Sequence, residues 1–125
     1  MHDVVQNLLL IENLLKAKTK NKKLPKIIAV SKTFSISAVY PLIDHGHVHF
    51  GENKVQESLE KWTDVKKKFV QVKLHMIGKL QTNKVKYVLP LFDYIHSLDS
   101  LKLAKKILEE QEKQKKKLKI FIQLN

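Results

Sequence analysis

Five short apolar runs begin near residues 27, 48, 73, 94 and 119, and a stretch with helical periodicity lies between each pair. This spacing is the strongest constraint on the fold. Two strands joined through a helix pair in parallel, because the chain must cross back over the sheet before it can run in the same direction again. The sequence therefore predicts an α/β protein with about five parallel strands, preceded by a helix. No linker or low-complexity segment divides residues 1–125, which are expected to form one domain.

The local signals fill in this frame. Residues 3–22 form an amphipathic pattern with Val4, Leu8, Ile11 and Leu15 on one face and Val5 beside them. Lysines 16, 18, 20, 22 and 23 crowd its end, where cations suit the helix dipole. Leu24-Pro25 leads into the first strand. Ser35 or Ser37 is placed to cap a second helix carrying Ile36, Val39 and Ile43. Pro41 fits its first turn or bends it, and Gly46 terminates it. The second strand covers His47–Asn53. A third helix puts Val55, Leu59 and Trp62 on one face and spaces Glu57 and Lys61 as an i,i+4 pair. A third strand lies within Val70–Ile77. Thr82 or Asn83 then caps a short helix that Pro90 ends. Tyr94–Ser97 is a fourth strand. Asp99 is the expected cap of a helix with Leu101, Ala104 and Leu108 inward, and Lys119–Asn125 is a fifth strand.

Chemistry is most legible at Lys26-Ile27-Ile28-Ala29-Val30-Ser31-Lys32-Thr33. Ile27–Val30 reads as a strand buried on both faces. Such a strand ending on a lysine is costly unless the lysine has a use. In parallel α/β sheets, ligands sit at the carboxyl ends of the strands. Desolvation there would favour the neutral, nucleophilic amine of Lys32, the state that forms an imine with an aldehyde. A snorkelling lysine is the plain alternative. Lys32, Asn53, Lys79, Ser97 and Asn125 end the five strands and would form one polar rim. Gly51-Glu52-Asn53 offers close backbone approach and an amide, or simply a strand-to-helix turn with Asn53 as cap. Gly78–Lys84 is either an anion-holding loop or a solvated one. His45, His47 and His49 alternate as metal ligands do, yet strand and surface histidines explain them more simply. No glycine-rich phosphate loop or nucleophile elbow is present.

The totals narrow the function classes. There is no cysteine, hence no disulfide framework and no thiolate metal site. No apolar run approaches the ~20 residues that cross a membrane, and Met1-His2-Asp3 does not open like a signal peptide, which favours the cytoplasm. The formal charge of +12 raises nucleic-acid binding as a possibility. However, all 24 basic residues are lysine. Arginine forks, which read bases and phosphates bidentately, are missing, so a solvated lysine-rich surface is the better reading.

Four blocks carry a resemblance. Ala29-Val30-Ser31-Lys32-Thr33, His49-Phe50-Gly51-Glu52-Asn53 with Val55-Gln56-Glu57, His75-Met76-Ile77-Gly78-Lys79-Leu80-Gln81-Thr82-Asn83-Lys84, and Ile95-His96-Ser97-Leu98-Asp99 resemble, in order, the signature blocks of the pyridoxal phosphate homeostasis proteins, the YggS or PROSC family. The resemblance implies a (β/α)8 TIM barrel of the alanine racemase N-terminal domain type with an extra N-terminal helix. It implies pyridoxal 5′-phosphate held as an imine on Lys32, with Asn53 beside the ring and His75, Ile77 and Ser97 at inward positions near it. It implies a cytoplasmic carrier or buffer of the cofactor without established catalysis, a monomer when complete, with cofactor-dependent apoenzymes as recipients. Many members have a second lysine where this chain has Phe34. The family also has three further strands, whose loops hold the phosphate, so the chain reads as an N-terminal portion. Two other classes stand beside this one. A racemase-like enzyme would need a second proton-transfer residue, a tyrosine on another domain or subunit in the relatives, and Tyr40, Tyr87 and Tyr94 lie within predicted elements. A basic nucleic-acid-binding module is the other.

Overall fold

The computed structural model describes residues 3–19 and 23–124. The predicted last turn of the first helix at residues 20–22 and the rim residue Asn125 lie outside them. The described chain contains α1 (Asp3–Thr19), β1 (Ala29–Val30), α2 (Ile36–His45), β2 (His49–Glu52), α3 (Val55–Lys68) and β3 (Lys73–Met76). A 3₁₀ turn (Thr82–Lys84) then runs directly into α4 (Val85–Val88), and β4 (Tyr94–Leu98), α5 (Leu101–Gln114) and β5 (Lys119–Ile122) follow. No described helix is long and apolar enough to cross a membrane.

The five strands pair in parallel and in sequential order, β1-β2-β3-β4-β5. A doubly wound sheet reverses its order at a switch point, whereas a (β/α) barrel adds each strand beside the last. The observed order is that of an incomplete barrel. Its two faces differ accordingly. Phe50, Leu74, Met76 and Ile95 point to one side and are fully buried against Trp62, Val65, Val88 and Ile107 of the helices. Each such burial contributes about 1.5–3 kcal/mol. The other face, which a closed barrel would turn inward, carries His49, His75, Tyr94, His96 and Phe121, of which His75 is buried and Phe121 exposed.

Several expectations change. The first strand is not buried on both faces. It is a two-residue edge strand with a single neighbour, and Val30 is 52% exposed. α1 packs on α2 through Val5 and Leu8, leaving Val4 and Ile11 outside, because one docking partner buries only one stripe of a helix. Pro41 lies inside α2 rather than in its first turn, and Gly46 ends that helix at φ 101°, a left-handed conformation that glycine adopts freely. The cap of α5 is Ser100, whose Oγ accepts from the Leu103 N–H at 3.2 Å, and not Asp99. The inward residues are Leu103 and Ile107, while Leu101 and Leu108 face solvent. Glu57 and Lys61 do not pair with each other; each turns to a different partner.

Candidate functional site

The register sets the C-terminal rim. Val30 pairs with Gly51, Glu52 with Met76, and Met76 with Ile95. One or two residues further on, Lys32, Asn53, Ile77 and Ser97 stand at one end of the sheet. Gly51 and Gly78 let this end close up. A Cβ at Gly51 would stand 3.1 Å from Ile77 Cδ1 and 3.2 Å from Ile28 Cγ2. A Cβ at Gly78 would stand 2.6 Å from the Cβ of Asn53, closer than side-chain carbons come. Two rim atoms, Asn53 Oδ1 and Ser97 Oγ, are buried with no hydrogen-bond partner among the described residues. Ser97 sits where the β4–β5 register shifts. Beside this rim, Asn53, Lys54, Gln56, Lys79, Gln81 and Lys84 line an open cleft of about 350 Å³.

Lys32 occupies a turn directly after β1 and is exposed. The premise that it ends a buried strand therefore does not hold for the described residues. What is buried is its neighbour. The Ser31 N–H donates to Gly51 O at 3.0 Å, extending the β1–β2 ladder, and Ser31 Oγ donates to Glu52 Oε2 at 2.6 Å. Thr33 follows at φ 69°, an uncommon region for a β-branched residue. The Thr33 N–H donates to Glu57 Oε1 at 3.2 Å, and Lys61 Nζ donates to Ser31 O.

Glu52 is the hub below this turn. It is fully buried, and its Oε2 accepts from Ser31 Oγ, from Lys61 Nζ at 2.8 Å and from Trp62 Nε1 at 3.0 Å. A buried carboxylate is tolerated only when a cation and further donors compensate it. Sequence reasoning missed this role for Glu52, Lys61 and Trp62. The signal was present, since an acid between Gly51 and Asn53 at the end of a core strand needs a partner.

On the face that a closed barrel would turn inward, three histidines from successive strands are hydrogen-bonded in a row. His49 Nδ1 lies 2.9 Å from His75 Nε2, and His75 Nδ1 lies 2.8 Å from His96 Nε2. Tyr94 stacks on His75 with ring centroids 4.0 Å apart, and Phe121 stacks on His96 at 4.5 Å. Burial, with the neighbouring histidines adding to it, pushes His75 down to about 4. Burial also lowers His49 and His96. The row is therefore neutral near pH 7. Each imidazole then has one N–H, so the donors all run in one direction along the row. His75 lies within β3, below the rim, with both ring nitrogens taken. His47 does not join the row; it packs on Phe50 at 5.2 Å.

No protein-family model matches the chain. Individual relatives do. It is 37% identical over 115 residues to the pyridoxal phosphate homeostasis protein of Haemophilus influenzae, covering 92% of this chain and 48% of the relative. To that of Escherichia coli it is 34% identical over 130 residues, covering 100% and 56%. The chain thus spans about half the length of the relatives it matches. Among solved structures, PipY of Synechococcus elongatus with pyridoxal phosphate bound superposes with a TM-score of 0.76 at 32% identity, over 91% of this chain and 53% of PipY. PipY without the cofactor gives 0.79 at 30% identity, over 92% and 50%.

Proposed function

Because the chain belongs to the pyridoxal phosphate homeostasis family along the half of its relatives' length that it spans, we propose that it binds pyridoxal 5′-phosphate at the C-terminal rim of its sheet, with Lys32 as the covalent anchor. In this reading residues 1–125 are one domain, the N-terminal part of a cofactor-binding barrel. Its role is to carry and buffer the cofactor in the cytoplasm for cofactor-dependent apoenzymes, not to turn over a substrate.

One observation carries the reading. Lys32 presents a primary amine in a turn at the end of β1, level with Asn53, whose buried Oδ1 has no partner among the described residues. The residues at the rim fit a small polar aldehyde. A neutral lysine amine adds to the aldehyde carbon, the carbonyl oxygen leaves as water, and a C=N bond remains. Asn53 Oδ1 and Ser97 Oγ are polar atoms without a partner among the described residues, and Ile77 supplies apolar surface. His75 has no free nitrogen, so its part is to support the floor beneath the rim.

The carrier reading is favoured over a racemase-like one by the relatives, which carry the name of homeostasis proteins.

The test is reductive trapping. The chain is incubated with pyridoxal 5′-phosphate, reduced with borohydride and mapped by peptide mass. The label is expected on Lys32 ahead of the other lysines and is expected to vanish from that peptide in Lys32→Ala. Labelling spread evenly over the surface lysines would overturn the assignment.

A further inference from the structure

We propose that α3 is the positioning element for Lys32: Glu57 and Lys61, one helical turn apart, pin the two peptide groups that flank it. The inference rests on the reading of Lys32 as the anchor. It assigns a role to residues of α3 that act through the backbone on either side of Lys32.

The geometry is specific. Ser31 C=O belongs to the peptide group before Lys32, and the Thr33 N–H belongs to the one after it. The first accepts from Lys61 Nζ, and the second donates to Glu57 Oε1 at 3.2 Å. Two peptide planes that meet at one Cα can turn only about its φ and ψ. Fixing both planes therefore fixes the backbone of Lys32 and the direction in which its side chain leaves.

The turn needs such support. Ser31 O also accepts from the Phe34 N–H at 3.2 Å, but no glycine is present, and Thr33 is held at φ 69°. A β-branched residue stays there only when its surroundings over-determine it. Charge-assisted hydrogen bonds supply that determination. The ammonium meets a carbonyl oxygen and the carboxylate meets an N–H, each the favourable polarity. The buried carboxylate of Glu52 aims the clamp, because its Oε2 binds both Lys61 Nζ and Ser31 Oγ. The arrangement also explains why Glu57 and Lys61, spaced for a helical ion pair, make none with each other.

The test uses Glu57→Ala, since Glu57 is partly exposed and bears no core load, and Glu57→Gln, which keeps an accepting oxygen. Two quantities are read in each, the exchange rate of the Thr33 amide by NMR and the share of borohydride-trapped pyridoxal 5′-phosphate that falls on Lys32 rather than on other lysines. Glu57→Ala is expected to speed Thr33 exchange roughly tenfold, as for one lost hydrogen bond to a charged group. It is expected to lower the Lys32 share severalfold with a fall of only a few degrees in melting temperature, and Glu57→Gln should largely restore both. A change that only loosened the fold would lower the melting temperature and leave the distribution among lysines alone. Unchanged Thr33 exchange, or an unchanged Lys32 share, in Glu57→Ala would overturn the proposal. If the parent places no label on Lys32, the binding reading fails, and Thr33 exchange alone decides the clamp.

Discussion

His75 turns a structural position into a pH dependence. An unfolded histidine titrates near 6.5, while folded His75 titrates near 4, because its ring is buried between two other histidines. Between these values the unfolded chain binds a proton that the folded chain refuses. The stabilising term is therefore fully present above about pH 6.5, falls as the pH drops, and stops falling near 4. A shift of that size is worth up to about 3 kcal/mol, and the lowered His49 and His96 act in the same direction. Urea denaturation at pH 7.5 and pH 5 is expected to show markedly lower stability in the acid sample. His75→Gln is expected to flatten that difference. Equal stability at the two pH values, or greater stability at pH 5, would show that the row takes up protons without opening.

At the scale of single elements, tertiary packing decides which face of a helix is buried. α5 begins one residue later than the Asp99 cap predicts, because Ser100 Oγ accepts from the Leu103 N–H. At about 100° per residue, Leu103 and Ile107 lie across the helix from Leu101 and Leu108, and they are the pair that the core buries. Ser100→Ala is expected to cost about 1 kcal/mol in thermal or urea unfolding, and Asp99→Ala well under that. The reverse ranking would restore Asp99 as the cap. β1 follows similar logic. Its neighbour β2 is buried at Phe50, Gly51 and Glu52, but β1 itself is the sheet's edge, so its length is set by two ladder pairs rather than by its four apolar residues.

For the whole molecule, the apolar core lies on one side of the sheet. β1 and β5 present open edges, and Val30, Phe121, Ile122 and Leu124 are more than half exposed. Unpaired strand edges beside apolar surface recruit other strands. The net charge of +12 opposes this at low salt, and screening removes that opposition. The 125-residue chain is therefore expected to self-associate, and more so as salt is raised. Sedimentation velocity across a salt series checks this. A chain that stays monomeric with a sharp cooperative melt at high salt would show that the five-stranded sheet is self-sufficient.

The sequence by itself determined the strand count, the parallel pairing and the family blocks. All of these follow from local periodicity: apolar runs of strand length, helical repeats between them, and polar residues where runs stop. It also located Lys32 and Asn53 at strand ends, since the end of an apolar run is a local property. The tertiary structure decided what surrounds those residues. Glu52 and Lys61 are nine residues apart along the chain, and Lys61 and Ser31 are thirty apart, so their meeting depends on how α3 crosses the β1–β2 pair. The histidine row likewise draws one ring from each of three strands. Whether β1 is buried was also beyond local reading, because an apolar strand looks the same in sequence whether one neighbour or two lie beside it.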